Sequence, residues 1–533
     1  MHEIITAQLG QQANYLATHF WNTQESYFTY SEDQPESPIN HDIHWRPGIG
    51  VDGVETYTPR TVIYDLKGGF GSMRKINALY DDTPVAAASS QPMPKGALWN
   101  GPTTIHTQPP IPQSAYAASL DAGTSPPPLT SSTVRFWSDY NRVYYHPRSI
   151  VQLSEYEAHS SLMPFERFAT GEELFADLDR EHDLLDRDLR PFVEEADQMQ
   201  GLQVFAGFDD AWGGFAGRYL ERIRDEYGKV GVWVWGVEGG HGQEVVNREK
   251  RVLRLANKAR AMVEAYKQAS IVVPLGLPRT LPGNLVLDQS SPWHVTGLWA
   301  AAVESVMLPA RLKERTNTDT LGGMAETLNS MGKQSIAGLQ LSFAPPAEEE
   351  QGSSGKAPPG RKLTEEELAE GIELDVRFSP SYAADAAHGL RNGFSSKKPK
   401  VFSQLISLRG YPEEKDQENE MEGDQDQRNS RRQRNAYEPV TRSYNTQLRF
   451  PLLDSFPQIF QHQGSGEPLT GSVNITTSLS TDSSVSDRLK LLRTTVVRSI
   501  GLEDREMIGN DLAEMADEYH EGWSSGSDEG DDD

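Results

Sequence analysis

Two glycine-bearing turns in the sequence have the form of anion-binding turns between a strand and a helix. Gly10 and Gln11 follow an apolar, strand-like segment and precede a helical pattern. Gly213, Gly214 and Gly217 follow a second strand-like segment and open a second helical pattern. A helix that begins directly after such a turn directs free backbone N–H groups and its dipole at an anion. Both turns are therefore candidates for an anion-binding position.

The second turn also contains residues that oppose phosphate binding. Asp209 and Asp210 would each bring a negative charge close to a phosphate. Unit charges ~4 Å apart repel by about 1 kcal/mol in water and by about 4 kcal/mol at an effective dielectric of about 20. Trp212 adds bulk where the backbone must approach the ligand closely. The glycines could still form a reduced phosphate loop, but we favour the interpretation that they only make the turn from strand to helix.

The segments around these turns predict an α/β domain with a mainly parallel sheet. Helical patterns alternate with four apolar segments, at residues 61–66, 202–208, 230–237 and 271–275. This order of strand, turn and helix is typical of a parallel sheet that is covered by helices. We expect residues 1–80 and 190–280 to share that sheet. Its buried strands should include Ile4, Val62, Val204 and Val232.

Composition excludes several classes of function. The net charge of −27 over 533 residues disfavours direct nucleic-acid binding by the whole chain, because phosphates repel an acidic surface. With no cysteine, the chain can form neither a disulfide nor a thiolate metal site nor a cysteine nucleophile. No apolar run of about 18 residues predicts a membrane span. No Lys or Arg precedes Arg46, so we expect no basic presequence.

Three segments resemble tubulin, and they occur in tubulin's order. Residues 4–14 are similar to its opening strand and G-Q-x-G-N turn, and residues 18–21 match the T-K-F-W of the next helix. Residues 57–66 resemble its Y-V-P-R-A-V-x-x-D-L strand, and residues 201–227 resemble its segment from G-F-Q to S-K-I-R-E-E-Y. Three ordered matches indicate common ancestry far better than one short glycine motif does. The predicted fold is therefore a tubulin-like parallel sheet with covering helices, an α+β C-terminal region and disordered insertions.

The resemblance also implies where a nucleotide pocket would lie and where it has changed. Lys67 replaces an acid that in tubulin faces the nucleotide and its metal ion. Residues 209–217 replace tubulin's G-G-G-T-G-S-G loop. We therefore expect a relic of a GTP pocket with no resident cofactor, no metal ion and no catalytic residue. As the resemblance implies them, its residues are Gln8, Gly10, Gln11, Asn14, Asp65, Gly68, Gly69, Gly213, Gly214 and Gly217.

Low-complexity stretches divide the chain, because their compositions bury too little apolar area to offset chain entropy. The predicted tubulin-like part comprises an N-terminal segment (residues 1–87), a Pro/Ser-rich insertion (88–132), and the remainder of the domain with the region that follows it (133–343). A linker (344–362) leads to a C-terminal region in two parts (363–412 and 435–510), which a charged disordered insertion (413–434) separates. The chain ends in a predicted acidic tail (511–533).

The insertions, the altered glycine loop and the P-L-L-D-S-F-P segment at residues 451–457 are similar to the misato family. That resemblance implies a role in partitioning the mitochondrial organelle and in inheritance of mitochondrial DNA. We expect a non-catalytic scaffold at the cytosolic face of the outer mitochondrial membrane, partly cytoplasmic, with protein partners there; cytoskeletal and chaperonin proteins are candidates. Two alternatives stay open, namely a nucleotide-regulated, GTPase-like assembly protein and a cytosolic cofactor of chaperonin or tubulin assembly.

Overall fold

Two β-sheets with helices around them form the part of the molecule that is described. The structure is a computed structural model, and it describes residues 2–30, 35–49, 53, 55–73, 111–239, 247–277, 281–314, 316–330, 332–345, 372–374, 399–411, 439–462, 464–498 and 505–519. The charged insertion predicted at 413–434 lies outside these residues. So do nearly all of the predicted linker and residues 88–110 of the Pro/Ser-rich insertion.

The first sheet has six parallel strands in the order β5-β4-β1-β6-β7-β8. These strands are β1 (Glu3–Leu9), β4 (Thr61–Lys67), β5 (Ile150–Glu157), β6 (Met199–Gly207), β7 (Gly231–Val237) and β8 (Ile271–Leu275). Continuous apolar runs are typical of strands that are covered on both faces. The central strand β1 is buried along its whole length. Ile4, Val62, Val204 and Val232 are all buried on strands of this sheet, so the predicted parallel sheet is confirmed.

Helices cover both faces of this sheet, so alternate residues of a strand enter different cores. The helices are α1 (Gln11–Glu25), α2 (Ala115–Asp121), α3 (Phe168–His182), α4 (Arg190–Glu194), α5 (Ala211–Glu226), α6 (Arg248–Gln268), α7 (Pro292–Val306), α8 (Leu321–Leu328), α9 (Ser484–Arg498) and α10 (Arg505–Asp517). Ile4 enters the core that α1 and α7 cover. Ile5 enters the opposite core, which α3, α5, α6, α9 and α10 cover.

The second sheet is mixed and supplies the predicted α+β C-terminal region. Its order is β10-β9-β14-β11-β12, and β13 also pairs with β14. The strands are β9 (Gly338–Ala344), β10 (Ile372–Glu373), β11 (Val401–Arg409), β12 (Val440–Thr446), β13 (Phe450–Leu452) and β14 (Gly471–Asp482). Only β11 and β12 run parallel within this described sheet. A separate hairpin joins β2 (Trp45–Ile49) to β3 (Glu55–Pro59).

A buried ionic cluster ties the two sheets together through α7. Glu304 of α7 accepts a hydrogen bond from Arg311 at 2.8 Å and also pairs with Arg409 of β11. All three side chains are fully buried. Arg409 Nη2 also donates to the hydroxyl of Tyr27, which follows α1, at 2.7 Å. Burial alone would raise the pKa of Glu304, but the two arginines outweigh it and hold that pKa below its ordinary value.

The end of the Pro/Ser-rich insertion is folded, and the prediction of disorder is wrong for residues 111–132. Ser114 caps α2, because its Oγ accepts from the backbone N–H of Ala117 at 3.1 Å. Tyr116 is buried and its hydroxyl donates to Asp454 at 3.0 Å. Composition does not reveal that this segment is folded, because only a single buried aromatic side chain and one helix cap anchor it to distant parts of the chain.

The start of the predicted acidic tail is also folded. Residue 511 lies inside α10, where Leu512 and Met515 are buried against the core of the first sheet. Lys267 of α6 pairs with Asp511 at 3.1 Å across that contact. The acids of this stretch therefore occupy the outer face of a packed helix, which charge counting alone does not reveal.

Candidate functional site

The structure brings both predicted turns to the same edge of the first sheet. Strand β1 lies between β4 and β6, so the chain connects in opposite directions on its two sides. In open parallel sheets, ligands bind outside the carboxyl ends of the strands at such a reversal. Gly10 follows β1 here, with φ at +97° and at the start of α1. Asp209 and Asp210 follow β6 and precede α5.

The indole of Trp212 fills the space above the first turn. A Cβ atom placed on Gly10 would lie 2.6 Å from Cγ and Cδ1 of Trp212. The indole is 4% exposed. It contacts the ring of Phe165 with centroids 5.3 Å apart and the ring of Phe215 with centroids 5.5 Å apart, both edge-on. An aromatic cluster therefore covers the start of α1, where a phosphate would have to approach the backbone.

The start of the second helix is occupied by a carboxylate. Asp210 caps α5, and its Oδ1 accepts from the backbone N–H of Trp212 at 2.9 Å. A capping carboxylate satisfies the amide that an anionic ligand would otherwise use. Asp209 faces β7 instead, because its Oδ1 accepts from the N–H of Gly239 at 2.8 Å. The two acids thus make different local contacts, Asp210 at the start of α5 and Asp209 with the residue two positions after β7.

Burial changes the acidity of both carboxyl groups. Loss of solvent raises the pKa of Asp210 to about 8, and the neighbouring charge of Asp209 adds to the rise. Burial also raises the pKa of Asp209, while Lys258 opposes the rise and Glu238 adds to it. Lys258 and Glu238 form an ion pair with each other, so they supply little net charge to this corner.

The three glycines predicted as a phosphate loop lie inside α5 and allow helices to pack closely. A Cβ atom on Gly214 would lie 2.0 Å from the carbonyl oxygen of Phe168 in α3. Cβ atoms on Gly213 and Gly217 would lie 3.1 Å from a side chain at Ala261 and 3.3 Å from one at Glu264, both in α6. The hypothesis that they form a reduced phosphate loop is therefore wrong. So is the favoured alternative that these glycines make the turn, because the turn precedes them.

A second group of predicted residues forms a polar contact between α1 and β4. Asp65 accepts from Asn14 Nδ2 at 2.9 Å, from Trp137 Nε1 at 3.0 Å and from the N–H of Leu66 at 2.8 Å. Burial raises the pKa of Asp65 to about 6, and these donors oppose the rise. A Cβ atom on Gly69 would lie 2.3 Å from Asp65 Oδ1, so the backbone after β4 covers the carboxylate.

The remaining predicted residues are divided between the sheet and its edge. Gln8 is buried within the sheet and donates to Thr61 Oγ1 at 2.8 Å, away from the crevice. Gln11 lies at the edge, where its Nε2 is 3.3 Å from Nε2 of His159. Gly68 makes the turn after β4 with φ at +86°, and nothing lies within 4 Å of a Cβ placed there. Lys67, expected near the lost metal position, is exposed.

Three contacts of the crevice were missed from sequence. Trp137 covers Asp65, Phe165 supports Trp212, and His159 meets Gln11. His159 has φ at +63°, which is uncommon for a residue other than glycine. None of these residues belongs to a recognisable motif, and only the folded chain brings them to the turns.

An open cleft of about 180 Å³ remains beside the filled crevice. It lies between the carboxyl ends of β6 and β7 and the first turns of α6. Phe165, which packs against Trp212, forms part of its wall, so the aromatic cluster separates the cleft from Gly10. Asp209 and Asp210 line it on one side and Lys250 on another.

These features define a tubulin-like α/β protein in which aromatic side chains fill the crevice at the carboxyl ends of the strands. A profile described as a tubulin domain matches residues 126–312, and one described as the Misato Segment II tubulin-like domain matches residues 2–122. The chain is 62% identical to Protein dml-1 of Neurospora crassa and 45% identical to Protein DML1 of Gibberella zeae, with 100% of each chain aligned. It is 30% identical to Protein misato homolog 1 of Pongo pygmaeus over 64% of this chain and 65% of that protein.

The chain therefore belongs to the DML1/misato family of tubulin-like proteins. This confirms the family that the three sequence segments and the insertions indicated. In the part of the chain that the structure describes, no helix combines the length and the hydropathy that crossing a bilayer requires.

Proposed function

We propose that this chain is a non-catalytic, tubulin-like scaffold in the partitioning of mitochondria and the inheritance of mitochondrial DNA. It acts at the cytosolic face of the outer mitochondrial membrane, with a cytoplasmic fraction, by binding protein partners. Membership of the DML1/misato family supports the organelle role. The scaffold part of the proposal rests on the closed crevice.

The main support for the scaffold hypothesis is the position of Trp212 over Gly10. A phosphate could reach the start of α1 only if the indole left its contacts with Phe165 and Phe215. A Trp side chain buries about 150–250 Å², which is worth roughly 4–6 kcal/mol at ~25 cal/mol per Å². Displacing it would weaken nucleotide binding by about three to four powers of ten.

Asp210 adds a second obstacle at the start of α5. A nucleotide that used the N–H of Trp212 would have to displace the carboxylate that already accepts from it. The displaced acid would then lie beside the phosphates and repel them. The start of α1 is therefore covered by Trp212, and the start of α5 is capped by Asp210.

The nucleotide content and thermal stability of the purified full-length chain test the scaffold reading. We expect no stoichiometric GTP or GDP after acid extraction, and no rise in melting temperature with millimolar GTP and magnesium. A ligand at a hundredfold excess over its Kd would stabilise the fold by ~2.7 kcal/mol. Copurifying nucleotide, or a magnesium-dependent rise, would favour the GTPase-like alternative instead.

Protease treatment of isolated mitochondria tests the location. Protease added to intact organelles should degrade the chain, whereas a matrix protein in the same sample should survive. Depletion of the chain should also reduce the number of mitochondrial DNA copies that daughter cells receive. Full protection until the outer membrane is ruptured would contradict the cytosolic-face location.

A further inference from the structure

The cleft beside the crevice has the chemistry of a site for a cationic side chain. Three carboxylates and two cationic side chains line its 180 Å³, which leaves one formal negative charge in excess. Its residues of both kinds are Glu166, Asp209, Asp210, Lys250 and Arg254. Lys250 already pairs with Glu166 at 2.7 Å. The excess charge therefore belongs to the two aspartates.

Each aspartate uses one carboxylate oxygen for a local contact. Asp209 accepts from Gly239 through Oδ1, and Asp210 accepts from Trp212 through Oδ1. Among the residues that the structure describes, neither Oδ2 receives a hydrogen bond. Asp209 is 5% exposed, so its second oxygen can reach a donor only inside the cleft. Both second oxygens are open to the cleft, so a donor that enters the cleft can bind them without displacing a hydrogen bond of the protein.

The walls favour an organic cation over a metal ion. No group of three or more His, Cys, Asp or Glu side chains within the described residues could hold a metal ion. Phe165 and Leu253 give the cleft apolar walls, against which methylene groups can pack. A guanidinium group offers several N–H donors in one plane and stacks on aromatic rings, which suits two adjacent carboxylates beside Phe165.

From this geometry we infer that the cleft binds an arginine side chain presented by a partner protein, with the guanidinium donating to Oδ2 of Asp209 and Asp210. The inference that a partner protein presents this arginine rests on the scaffold role proposed above. Binding of an arginine probe is measured without nucleotide, so the two proposals can fail separately: bound GTP would refute the scaffold, and an unbound probe would refute the cleft.

The cleft also predicts how binding depends on pH. Below the raised pKa of Asp210, a proton occupies the carboxyl group that the guanidinium needs. Binding must then release that proton, so affinity should rise with pH until about pH 8, by at most tenfold per unit. Other charged groups that face Asp210 are Asp209 before α5, Glu166 before α3, and Arg254 of α6.

Titration calorimetry with N-acetyl-arginine amide on the full-length chain tests the inference. N-acetyl-citrulline amide is the neutral control of the same shape. We expect saturable binding of the arginine probe, at least tenfold tighter than of the citrulline probe, and tighter at pH 8 than at pH 6. Equal affinity for the two probes, or no saturable binding of either, would overturn the inference.

Two variants separate binding from folding. Asp210→Asn keeps a good helix cap and removes the charge, so it should weaken the arginine probe at least tenfold without lowering the melting temperature. Asp209→Asn should weaken it similarly. Asp177→Asn, at a 69% exposed side chain on α3, is the matched control and should bind like the unmodified chain. Unchanged affinity in both cleft variants would refute the assignment.

Discussion

The interface between the two sheets stabilises a buried carboxylate charge, whereas the edge of the first sheet disfavours it. At the interface, Glu304 is held by two arginines and has no solvent contact. At the edge, Asp209 and Asp210 lie next to each other and each has one local hydrogen bond. The pKa of Glu304 is lowered, whereas the pKa values of both aspartates are raised. The carboxylate at the interface therefore keeps its charge beside two cationic partners, whereas burial at the edge favours the protonated form of both aspartates.

Removal of Glu304 should have the largest effect on stability. Glu304→Ala leaves Arg311 and Arg409 buried without their shared carboxylate, which costs about 3–5 kcal/mol. The urea midpoint of the full-length chain should fall accordingly, while Glu173→Ala on the exposed face of α3 should leave it unchanged. Because the pKa of Glu304 is lowered, its stabilisation is present above the carboxyl pKa of the unfolded chain and is lost only as acid protonates it. Equal midpoints for the two variants would contradict a structural role for the cluster.

A second variant tests whether packing, rather than ligand binding, fixes the crevice glycines. Gly214→Ala would place a Cβ atom 2.0 Å from the carbonyl oxygen of Phe168, so α3 and α5 must move apart. Overpacking of this kind costs about 1–3 kcal/mol. Gly283→Ala is the control, since nothing lies within 4 Å of a Cβ there. The loss should be measured by urea unfolding; equal stability of the two variants would show that the helices do not depend on glycine at this crossing.

The sequence predicted the sheet better than it predicted the site, for physical reasons. Apolar runs such as residues 202–208 identify buried strands because both faces of the sheet are covered. Gly10, Asn14 and Asp65 lie close together because Gly10 follows β1, Asn14 is in the first turn of α1 and Asp65 is near the end of β4. The bulk of Trp212 was foreseen, but its place over Gly10 depends on residues that are far apart in the chain. The same is true of the bond from Trp137 to Asp65, which joins residues 72 positions apart.

Replacement of Asp210 at the edge should increase the stability of the fold, because its carboxyl group has a raised pKa. A raised carboxyl pKa means that the folded chain binds a proton that the unfolded chain has released, so stability falls as pH rises from the unfolded value towards about 8. Asp210→Asn removes this loss and retains the cap of α5. The gain should be near zero at acidic pH and grow by at most about 1.4 kcal/mol per pH unit. Urea midpoints measured from pH 5 to pH 8 would give the slope, and a variant that is less stable at pH 8 would contradict the raised pKa.

The smallest expected effect concerns the folded end of the Pro/Ser-rich insertion and its contacts with the core. Ser114 caps α2 by accepting from Ala117, and its hydroxyl also donates to the carbonyl oxygen of Asp139 at 2.9 Å. Ser114→Ala removes both contacts and should cost about 1 kcal/mol, as loss of a helix cap does. Ser161→Ala, in an exposed loop, is the control. Because α2 holds Tyr116 against Asp454, the same variant should also speed proteolysis near residue 121. If cleavage and stability match the control, this end of the insertion contributes nothing to the fold, and its contacts with the core are incidental.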